Sequence, residues 1–364
     1  MANEIKVLIA DDSAFLRMVL EDTLTKEKGF LIVGSAKNGK EAVDMVAALN
    51  PDIVILDCEM PVMTGLEALK IIMEKNPLPV LMFSAHTGEG AQTTIKALEL
   101  GAVDFLLKPE AKTGGLAAAA PDLIHKLKTI VRMSRLSALR AKVSKSAAAV
   151  ARTMPKPAAT EQKSVGSPFK KTGRRAVEII AMGSSTGGVK AASFVVPKFG
   201  ADTPPIVWVQ HMPSGFTESF ARRMNDLCAL DVKEAKDGDV LKRGGCYLAP
   251  GGFQMEVKKE GAQYVLRMTP NVRVKGHCPS CDVLFKTVSD LFGDRALGII
   301  LTGMGDDGTE GLTQMHGKGA YVVGQNEESC VVYGMPKAAF KAGAVDIELH
   351  INEITDHVKT VVGG

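Results

Sequence analysis

The first third of the chain alternates short apolar runs with longer amphipathic segments. The apolar runs lie at residues 5–10, 30–36, 53–57, 79–84 and 102–108. Between them, apolar side chains recur at the three- and four-residue spacing of a helix, at residues 16–25, 40–49, 66–75 and 92–100. Strands that alternate with helices in this way predict a doubly wound, mostly parallel sheet of the α/β class.

A second alternation begins near residue 176. Its apolar runs lie at residues 177–182, 206–210, 246–249, 297–302 and 320–324, and helical patterns follow several of them, including 338–341 and 353–362. Strict apolar–polar alternation at 263–268 adds an antiparallel ribbon within 255–268. This half therefore predicts a second α/β domain.

The two halves are separated by a segment without a strand pattern. A helical pattern continues over 121–150, and residues 151–173 are rich in Pro, Ser, Thr, Lys and Ala with no apolar period. Such composition is typical of a flexible linker. We therefore predict two doubly wound domains joined by a linker, with boundaries at 1–125, 126–175 and 176–364.

Composition narrows the class of protein. Hydrophobic residues make up 46% of the chain and charged residues 23%, as in soluble globular proteins. No apolar stretch approaches the ~20 residues of a membrane span. The first ten residues carry Glu4 and Lys6 and do not form a signal peptide. These features predict a cytoplasmic protein without membrane insertion.

The charge is concentrated in one segment. Residues 126–175 hold fourteen Lys or Arg and the single acid Glu161, a local charge of +13 that leaves −10 on the rest of the chain. A basic run can bind nucleic acid, but this one contains Phe169 as its only aromatic residue. A solvated helix end and linker, with no nucleic-acid partner, is the favoured interpretation.

Six scattered cysteines do not make a disulfide framework. Cys278 and Cys281 form C-x-x-C beside His277, which raises the question of a redox or metal site. A structural zinc site needs four ligands, usually from a second pair, and no such pair is nearby. Two thiols in a loop are the favoured interpretation.

Polar residues stand at the ends of the predicted strands of the first half. They are Asp11, Asp12, Asp57, Ser84 and Lys108. Because parallel strands end at one edge, the three carboxylates converge there and would repel one another without a cation. Oxygen ligands of this kind suit Mg²⁺. A lysine and a hydroxyl beside them would complete a pocket for a phosphoryl group.

Residues 1–125 resemble a response-regulator receiver, the CheY-like module, through these five residues and Met60-Pro61. The resemblance implies that Asp57 accepts a phosphoryl group from a histidine kinase. It implies a Mg²⁺ site formed by Asp12, Asp57 and the carbonyl of Glu59, with Asp11 in the same acidic pocket. Lys108 and Ser84 would contact the phosphoryl oxygens, and Phe105 stands at the aromatic switch position.

Three residues of the second half follow three apolar runs. Ser185 lies in a G-x-S-x-G motif, a strand-to-helix turn that exposes a nucleophile, and His211 and Asp307 follow later runs. A serine needs an imidazole to take its proton, and the imidazole needs a carboxylate to hold its tautomer. The amides of Thr186 and Met304 are candidate oxyanion donors. Taken singly, the histidine and the aspartate could equally be loop and turn residues.

Residues 176–362 resemble the catalytic domain of the CheB family, the chemotaxis protein-glutamate methylesterases. The motifs are Gly-Ser-Ser-Thr-Gly-Gly at 183–188, Gln-His-Met-Pro-Ser-Gly-Phe-Thr at 210–217, Tyr-Leu-Ala-Pro-Gly at 247–251 and Leu-Thr-Gly-Met-Gly-Asp-Asp-Gly at 301–308. The order Ser, His, Asp also differs from that of α/β-hydrolases. The resemblance makes Ser185 the nucleophile, His211 the base and Asp307 its orienting acid.

By the same resemblance, Thr186 helps to position His211, and Met304 lends a backbone donor. His277 is expected at the substrate rim. The two cysteines depart from the family pattern, so the role of their loop is left open.

The resemblance implies hydrolysis of glutamate γ-methyl esters on chemoreceptors, with release of methanol, and deamidation of glutamine. No cofactor is expected for the ester step, since Mg²⁺ belongs to the receiver. A protein substrate favours an open cleft. The receiver is expected to contact and inhibit the catalytic domain until Asp57 is phosphorylated.

Two other functions compete with this one. A DNA-binding output would explain the basic segment, although a 190-residue α/β tail is too long for a helix-turn-helix. A non-enzymatic adaptor would make the triad accidental. The sequence does not specify the receptor, its glutamates, a docking motif in the linker, the oligomeric state or the size of the regulatory effect.

Overall fold

The computed structural model describes residues 4–85, 88–108, 119–136 and 176–363. The predicted linker at 151–173 and the part of the predicted helix beyond residue 136 lie outside these ranges. No helix within them combines the length and apolarity that crossing a membrane requires.

The first sheet has five parallel strands in the order β2-β1-β3-β4-β5. The strands are β1 (Ile5–Ala10), β2 (Phe30–Ala36), β3 (Ile53–Asp57), β4 (Val80–Ser84) and β5 (Asp104–Leu107). The helices are α1 (Ala14–Thr25), α2 (Gly39–Leu49), α3 (Gly65–Lys75), α4 (Gly88–Leu100) and α5 (119–136). All five predicted strands are present.

Three helices begin one or two residues before their predicted starts because a capping residue precedes the apolar period. Ser13, Asn38 and Thr64 each accept a hydrogen bond from the amide three residues on. The boundary predicted after residue 125 falls inside α5. The apolar spacing continues there, and Leu127 and Ile130 pack with Val7 in one core cluster.

The second sheet has seven strands, all paired in parallel, in the order β14-β13-β12-β6-β7-β9-β8. The strands are β6 (Ile179–Ser184), β7 (Ile206–Gln210), β8 (Asp231–Glu234), β9 (Gly245–Leu248), β12 (Ala296–Ile300), β13 (Tyr321–Gln325) and β14 (Ile347–Leu349). The edge strands β8 and β14 escaped prediction because they are short and charged residues interrupt their apolar positions, as their sequences Asp-Val-Lys-Glu and Ile-Glu-Leu show.

The helices of this half are α6 (Gly188–Val195), α7 (Phe216–Asn225), α8 (Cys281–Phe292), α9 (Thr309–Gly317), α10 (Met335–Lys341) and α11 (Ile351–Gly363). The predicted antiparallel ribbon is present as β10 (Phe253–Glu260) and β11 (Gln263–Pro270). Two α/β units with mostly parallel sheets confirm the predicted fold class.

The chain enters the second sheet at its centre and then builds it outward on both sides. From β6 it proceeds to β7 on one side and later to β12 on the other. Ser184 pairs with Gln210, and Gly183 with Ile300. The residues that follow these three strands therefore share one edge, at the point where ligand sites form in such sheets.

The two α/β units pack against each other at that edge. Helix α4 contacts α6 and α7. The Phe105 ring at β5 stacks on Phe216 of α7, with centroids 4.8 Å apart. Asp104 accepts a hydrogen bond of 2.6 Å from the Thr186 hydroxyl. The first unit thus reaches the residue beside Ser185.

Candidate active site

Ser185 occupies a tight turn between β6 and α6. Its amide donates to the Thr302 carbonyl at 3.0 Å, and its carbonyl accepts from the Gly188 amide at 2.7 Å. Gly187 has φ +77°, and a Cβ there would lie 2.5 Å from the Cβ of Val331. The turn therefore requires glycine at this position, as the G-x-S-x-G motif predicted.

A buried polar network at the ends of β6 and β7 holds the turn in place. Ser184 Oγ donates to Gln210 Oε1 at 2.7 Å and accepts from Trp208 Nε1 at 2.9 Å. The Gln210 amide nitrogen donates to the carbonyl of Ser185 at 2.9 Å. Sequence reasoning missed this network. The signal was present, because polar residues inside apolar strands must find hydrogen-bond partners.

His211 lies beside the turn because it follows the strand paired with β6. Its Nε2 lies 2.8 Å from Asp307 Oδ2. Its Nδ1 is buried without a hydrogen-bond partner among the described residues. A carboxylate only accepts, so Nε2 carries the proton and Nδ1 presents a free lone pair. The imidazole is thus held in a tautomer that can accept a proton at Nδ1.

Asp307 is buried against the amino end of α8, where four donors surround its carboxylate. Oδ2 accepts from His211 and from the Cys281 amide at 2.6 Å. Oδ1 accepts from Ser280 Oγ at 2.6 Å and the Asp282 amide at 3.2 Å. Burial by itself raises the pKa of this carboxyl, but the bonds from His211, Ser280 and Cys281 outweigh burial and leave the pKa well below its usual range.

The loop whose role the sequence left open therefore anchors Asp307. Its contribution comes from Ser280 and from backbone amides at a helix amino end, where the helix dipole favours a carboxylate. Sequence reasoning considered only the two thiols. Ser280 stands just before a segment whose apolar residues, at 284, 285, 288 and 292, have helical spacing, and this is the signal that could have identified the anchor.

His277 stacks face to face on His211, with ring centroids 4.0 Å apart and planes 9° from parallel. Burial, together with the neighbouring His211, lowers the pKa of His277 from 6.5 to about 4. His277 is therefore neutral near pH 7. It lines the same cavity as Ser185, and its place at a substrate rim stays a prediction.

Ser185, Thr186, His211, His277 and Met304 line one cavity of about 600 Å³. Asp104 and Phe105 of the first unit form its opposite wall. The cavity is thus roofed by the first unit, in contrast to the open cleft that a protein substrate favours. The Thr186 hydroxyl, expected to position His211, donates to Asp104 instead.

The acidic residues of the first unit form a second cluster. Lys108 Nζ lies 2.7 Å from Asp57 Oδ2 and 3.0 Å from Asp11 Oδ2, and both carboxylates are almost fully buried. Asp12 completes the cluster from an exposed position, with one oxygen of each carboxylate within 4.8 Å of the others. Apart from Lys108, Asp11 Oδ2 and Asp57 Oδ2 have no partner among the described residues. Such a donor set fits a hard cation like Mg²⁺.

Burial raises the pKa of Asp57 from 3.8 to about 6, although Lys108 opposes the shift. The Glu59 amide donates to Asp57 Oδ1 at 3.3 Å. Ser84 Oγ is engaged with Thr94 Oγ1 of α4 at 2.5 Å. Phe105 packs inward on Phe216. Two of the predicted switch residues thus contact α4 and the second unit rather than Asp57.

Two family models match the chain. Residues 7–120 match the response regulator receiver domain, and residues 180–358 match the CheB methylesterase. These ranges contain every predicted site residue. The boundaries at 125 and 175 stay predictions.

Relatives match over nearly the whole chain. A protein-glutamate methylesterase/protein-glutamine glutaminase of Halalkalibacterium halodurans is 43% identical over 98% of both chains. One of Sulfurimonas denitrificans, with the same name, is 42% identical over 94% of both. The crystal structure of the Thermotoga maritima CheB methylesterase catalytic domain matches with 33% identity and a TM-score of 0.50, over 52% of this chain and 99% of that domain. Because both models match in order along this chain and its full-length relatives are about as long as it is, the chain belongs to the family of protein-glutamate methylesterases/protein-glutamine glutaminases, with a response regulator receiver domain followed by a CheB methylesterase domain.

Proposed function

We propose that this chain hydrolyses glutamate γ-methyl esters on chemoreceptor proteins, releases methanol, and deamidates glutamine at the same site. The names of its relatives, which span both activities, support this proposal. The observation that carries it is the His211–Asp307 pair. Its hydrogen bond leaves Nδ1 free at the sheet edge where Ser185 also lies.

In the first half of the reaction, Ser185 Oγ attacks the ester carbonyl while His211 Nδ1 takes the hydroxyl proton. Asp307 stabilises the resulting imidazolium through the Nε2–H bond. The carbonyl oxygen becomes an oxyanion, for which the amides of Thr186 and Met304 are the proposed donors. The intermediate collapses, and methoxide leaves with the proton from Nδ1 as methanol. A glutamyl ester of Ser185 remains.

In the second half, water attacks that ester and His211 takes its proton. The proton then returns to Ser185, and the free glutamate is released. A glutamine substrate follows the same course, except that the first leaving group is ammonia. His211 supplies and receives every proton, so no step requires a cofactor.

The receiver unit is proposed to take a phosphoryl group on Asp57 from a histidine kinase. Asp11, Asp12, Asp57 and the Glu59 carbonyl would hold Mg²⁺, which neutralises charge on the phosphoryl group. Lys108 and Ser84 are the proposed contacts of its oxygens. The cluster of three carboxylates, two of which are paired with Lys108, supports this assignment.

We further propose that the receiver inhibits the esterase until Asp57 is phosphorylated. Two contacts support a covering role: Asp104 binds the hydroxyl beside the nucleophile, and Phe105 stacks on Phe216. Both contacts come from β5, which ends next to Lys108. A new partner for Lys108 at a phosphorylated Asp57 would therefore act directly on the strand that covers the site.

Methanol release from methylated receptor membranes tests the proposal, with and without a small-molecule phosphodonor and Mg²⁺. Wild type should release methanol, and more with the donor. Ser185→Ala should lose release, whereas Ser193→Ala, which changes a serine on the neighbouring helix, should keep it. Asp57→Ala should lose the response to the donor. Wild type without release under any condition would leave a receiver-regulated adaptor as the better account.

A further inference from the structure

The thiol of Cys281 lies beside His211 and Asp307, and the proposed ester hydrolysis gives it no role. Cys281 is the first residue of α8 and is fully buried. Its Sγ lies 3.9 Å from His211 Nε2. One donor atom each from His211, Cys281 and Asp307 lies within 4.8 Å of the other two. A sulfur, a nitrogen and an oxygen ligand thus surround one point.

These donor types and their spacing suit a zinc-like ion. Zn²⁺ binds thiolate at ~2.3 Å, imidazole at ~2.0–2.1 Å and carboxylate at ~2.0–2.2 Å in tetrahedral sites. Ligands at such distances stand about 3.3–3.7 Å apart. Here the separations are 2.8 Å from Nε2 to Oδ2 and 3.9 Å from Nε2 to Sγ. To match such a site, the Nε2–Oδ2 separation would widen by about 0.5 Å and the Nε2–Sγ separation would shorten by about 0.3 Å.

We propose that His211, Cys281 and Asp307 form an inhibitory binding site for a thiophilic divalent cation such as Zn²⁺. A water molecule would complete the four ligands that Zn²⁺ prefers. The C-x-x-C motif alone gave no such site because it lacks a second pair of ligands. The fold supplies the remaining ligands from the ends of other strands and uses only one of the two cysteines.

Bound metal changes the tautomer of the base. The ion takes the Nε2 lone pair, so the imidazole proton moves from Nε2 to Nδ1, and the Cys281 thiol releases its proton to solvent. Nδ1 then has no lone pair for the proton of Ser185. Acylation stops although the serine itself is untouched. This inhibitory consequence rests on the proposed esterase mechanism, whereas metal binding by itself does not.

Cobalt spectroscopy of the full-length protein tests the site without reference to activity. Co²⁺ gives a near-ultraviolet charge-transfer band only when a thiolate is a ligand. Added Zn²⁺ should displace the Co²⁺ and abolish this band. Excess Mg²⁺ occupies the carboxylates around Asp57. The band is expected in wild type and in Cys278→Ser, which alters the other cysteine of the motif. It should be absent from Cys281→Ser and Cys281→Ala, with folding checked by circular dichroism.

Inhibition supplies the second readout. Zn²⁺ should block methanol release by wild type and Cys278→Ser, and a chelator should restore it. The Zn²⁺ concentration that halves the remaining activity should rise at least tenfold in Cys281→Ser. A missing cobalt band in wild type, or a band that persists in folded Cys281→Ser, would overturn the site. If no variant releases methanol, the esterase proposal fails, and the cobalt spectra still decide the metal site.

Discussion

Two buried aspartates show how neighbouring residues set the chemistry of a carboxyl group. Asp307 is surrounded by four hydrogen-bond donors, and its pKa falls. Asp57 has Lys108 beside it, but burial dominates and its pKa rises to about 6. The first carboxylate stays charged and can hold an imidazolium. The Asp57 carboxylate is a less stable anion, so a bound cation or conversion to an acyl phosphate would relieve its unfavourable charge.

The raised pKa of Asp57 predicts that Asp57→Asn stabilises the metal-free protein at neutral pH. Below about pH 4 the carboxyl is protonated in both the folded and the unfolded chain, so its burial does not lower the free energy of unfolding through its charge. Between about pH 4 and 6 the unfolded chain ionises first, and stability is lost as pH rises. Above pH 6 the penalty is constant at about 3 kcal/mol at most.

Urea unfolding of wild type and Asp57→Asn at pH 4 and pH 8 measures this difference. At pH 8 the free energy of unfolding of Asp57→Asn should exceed that of wild type, and at pH 4 the two values should be similar. Asp12→Asn, at the exposed position of the same cluster, is the control and should change stability by less than about 0.5 kcal/mol. Equal stability of wild type and Asp57→Asn at pH 8 would contradict the burial argument.

Among the secondary-structure elements, the amino end of α8 contributes most to the site. It orients Asp307 through a serine hydroxyl and two backbone amides, while β7 and β12 deliver the histidine and the aspartate. Asp282 extends the anchor, since its carboxylate accepts from the Gly311 amide of α9 at 2.8 Å. The packing of α8 on α9 thereby fixes the carboxylate to which His211 is bonded.

We predict that Ser280→Ala lowers kcat for methanol release about tenfold, because one buried hydrogen bond to a charged group contributes about 1.5 kcal/mol. The Asp307 pKa should rise towards its usual range, because one of the donors that lower it is lost. Ser289→Ala alters a buried serine of the same helix whose hydroxyl has no partner among the described residues. Loss of activity in both variants alike would indicate a general effect on α8 instead.

At the scale of the whole molecule, the receiver and the esterase share an interface that holds both predicted switch and predicted catalytic positions. Asp104 is held by Lys126 of α5 at 2.5 Å while it accepts from Thr186. The outer part of the interface is more exposed to solvent, and there Arg223 and Glu99 form a partly exposed ion pair. Buried, charge-assisted bonds contribute more than exposed pairs, so the interface is strongest beside Ser185.

We predict that Asp104→Ala raises methanol release by unphosphorylated protein several-fold and reduces the further gain from a phosphodonor. Arg223→Ala, which removes only the exposed pair, should change basal release less than about threefold, since such a pair contributes at most ~1 kcal/mol. Methanol release measured without the phosphodonor distinguishes the two variants. If Asp104→Ala shows the basal rate of wild type, inhibition does not depend on this contact.

The sequence by itself determined the longer strands, the helices of the first unit and the identity of the residues at the strand ends. Apolar runs and helical spacing are local, so they were readable for β1 and β7 without any tertiary information. The motifs around Ser185, His211 and Asp307 were also contiguous. Their proposed chemistry rested on the combination of the three residue types, since the histidine and the aspartate taken singly could be loop and turn residues.

Only the tertiary structure decided how these residues are partnered. That Nε2 of His211 faces Asp307, that α8 holds the carboxylate, and that Asp104 reaches Thr186 depend on residues tens of positions apart in the chain. Short edge strands such as β14 likewise form only because a neighbouring strand is present. Hydrogen bonds and burial act through space, and no local pattern specifies which distant atoms will meet.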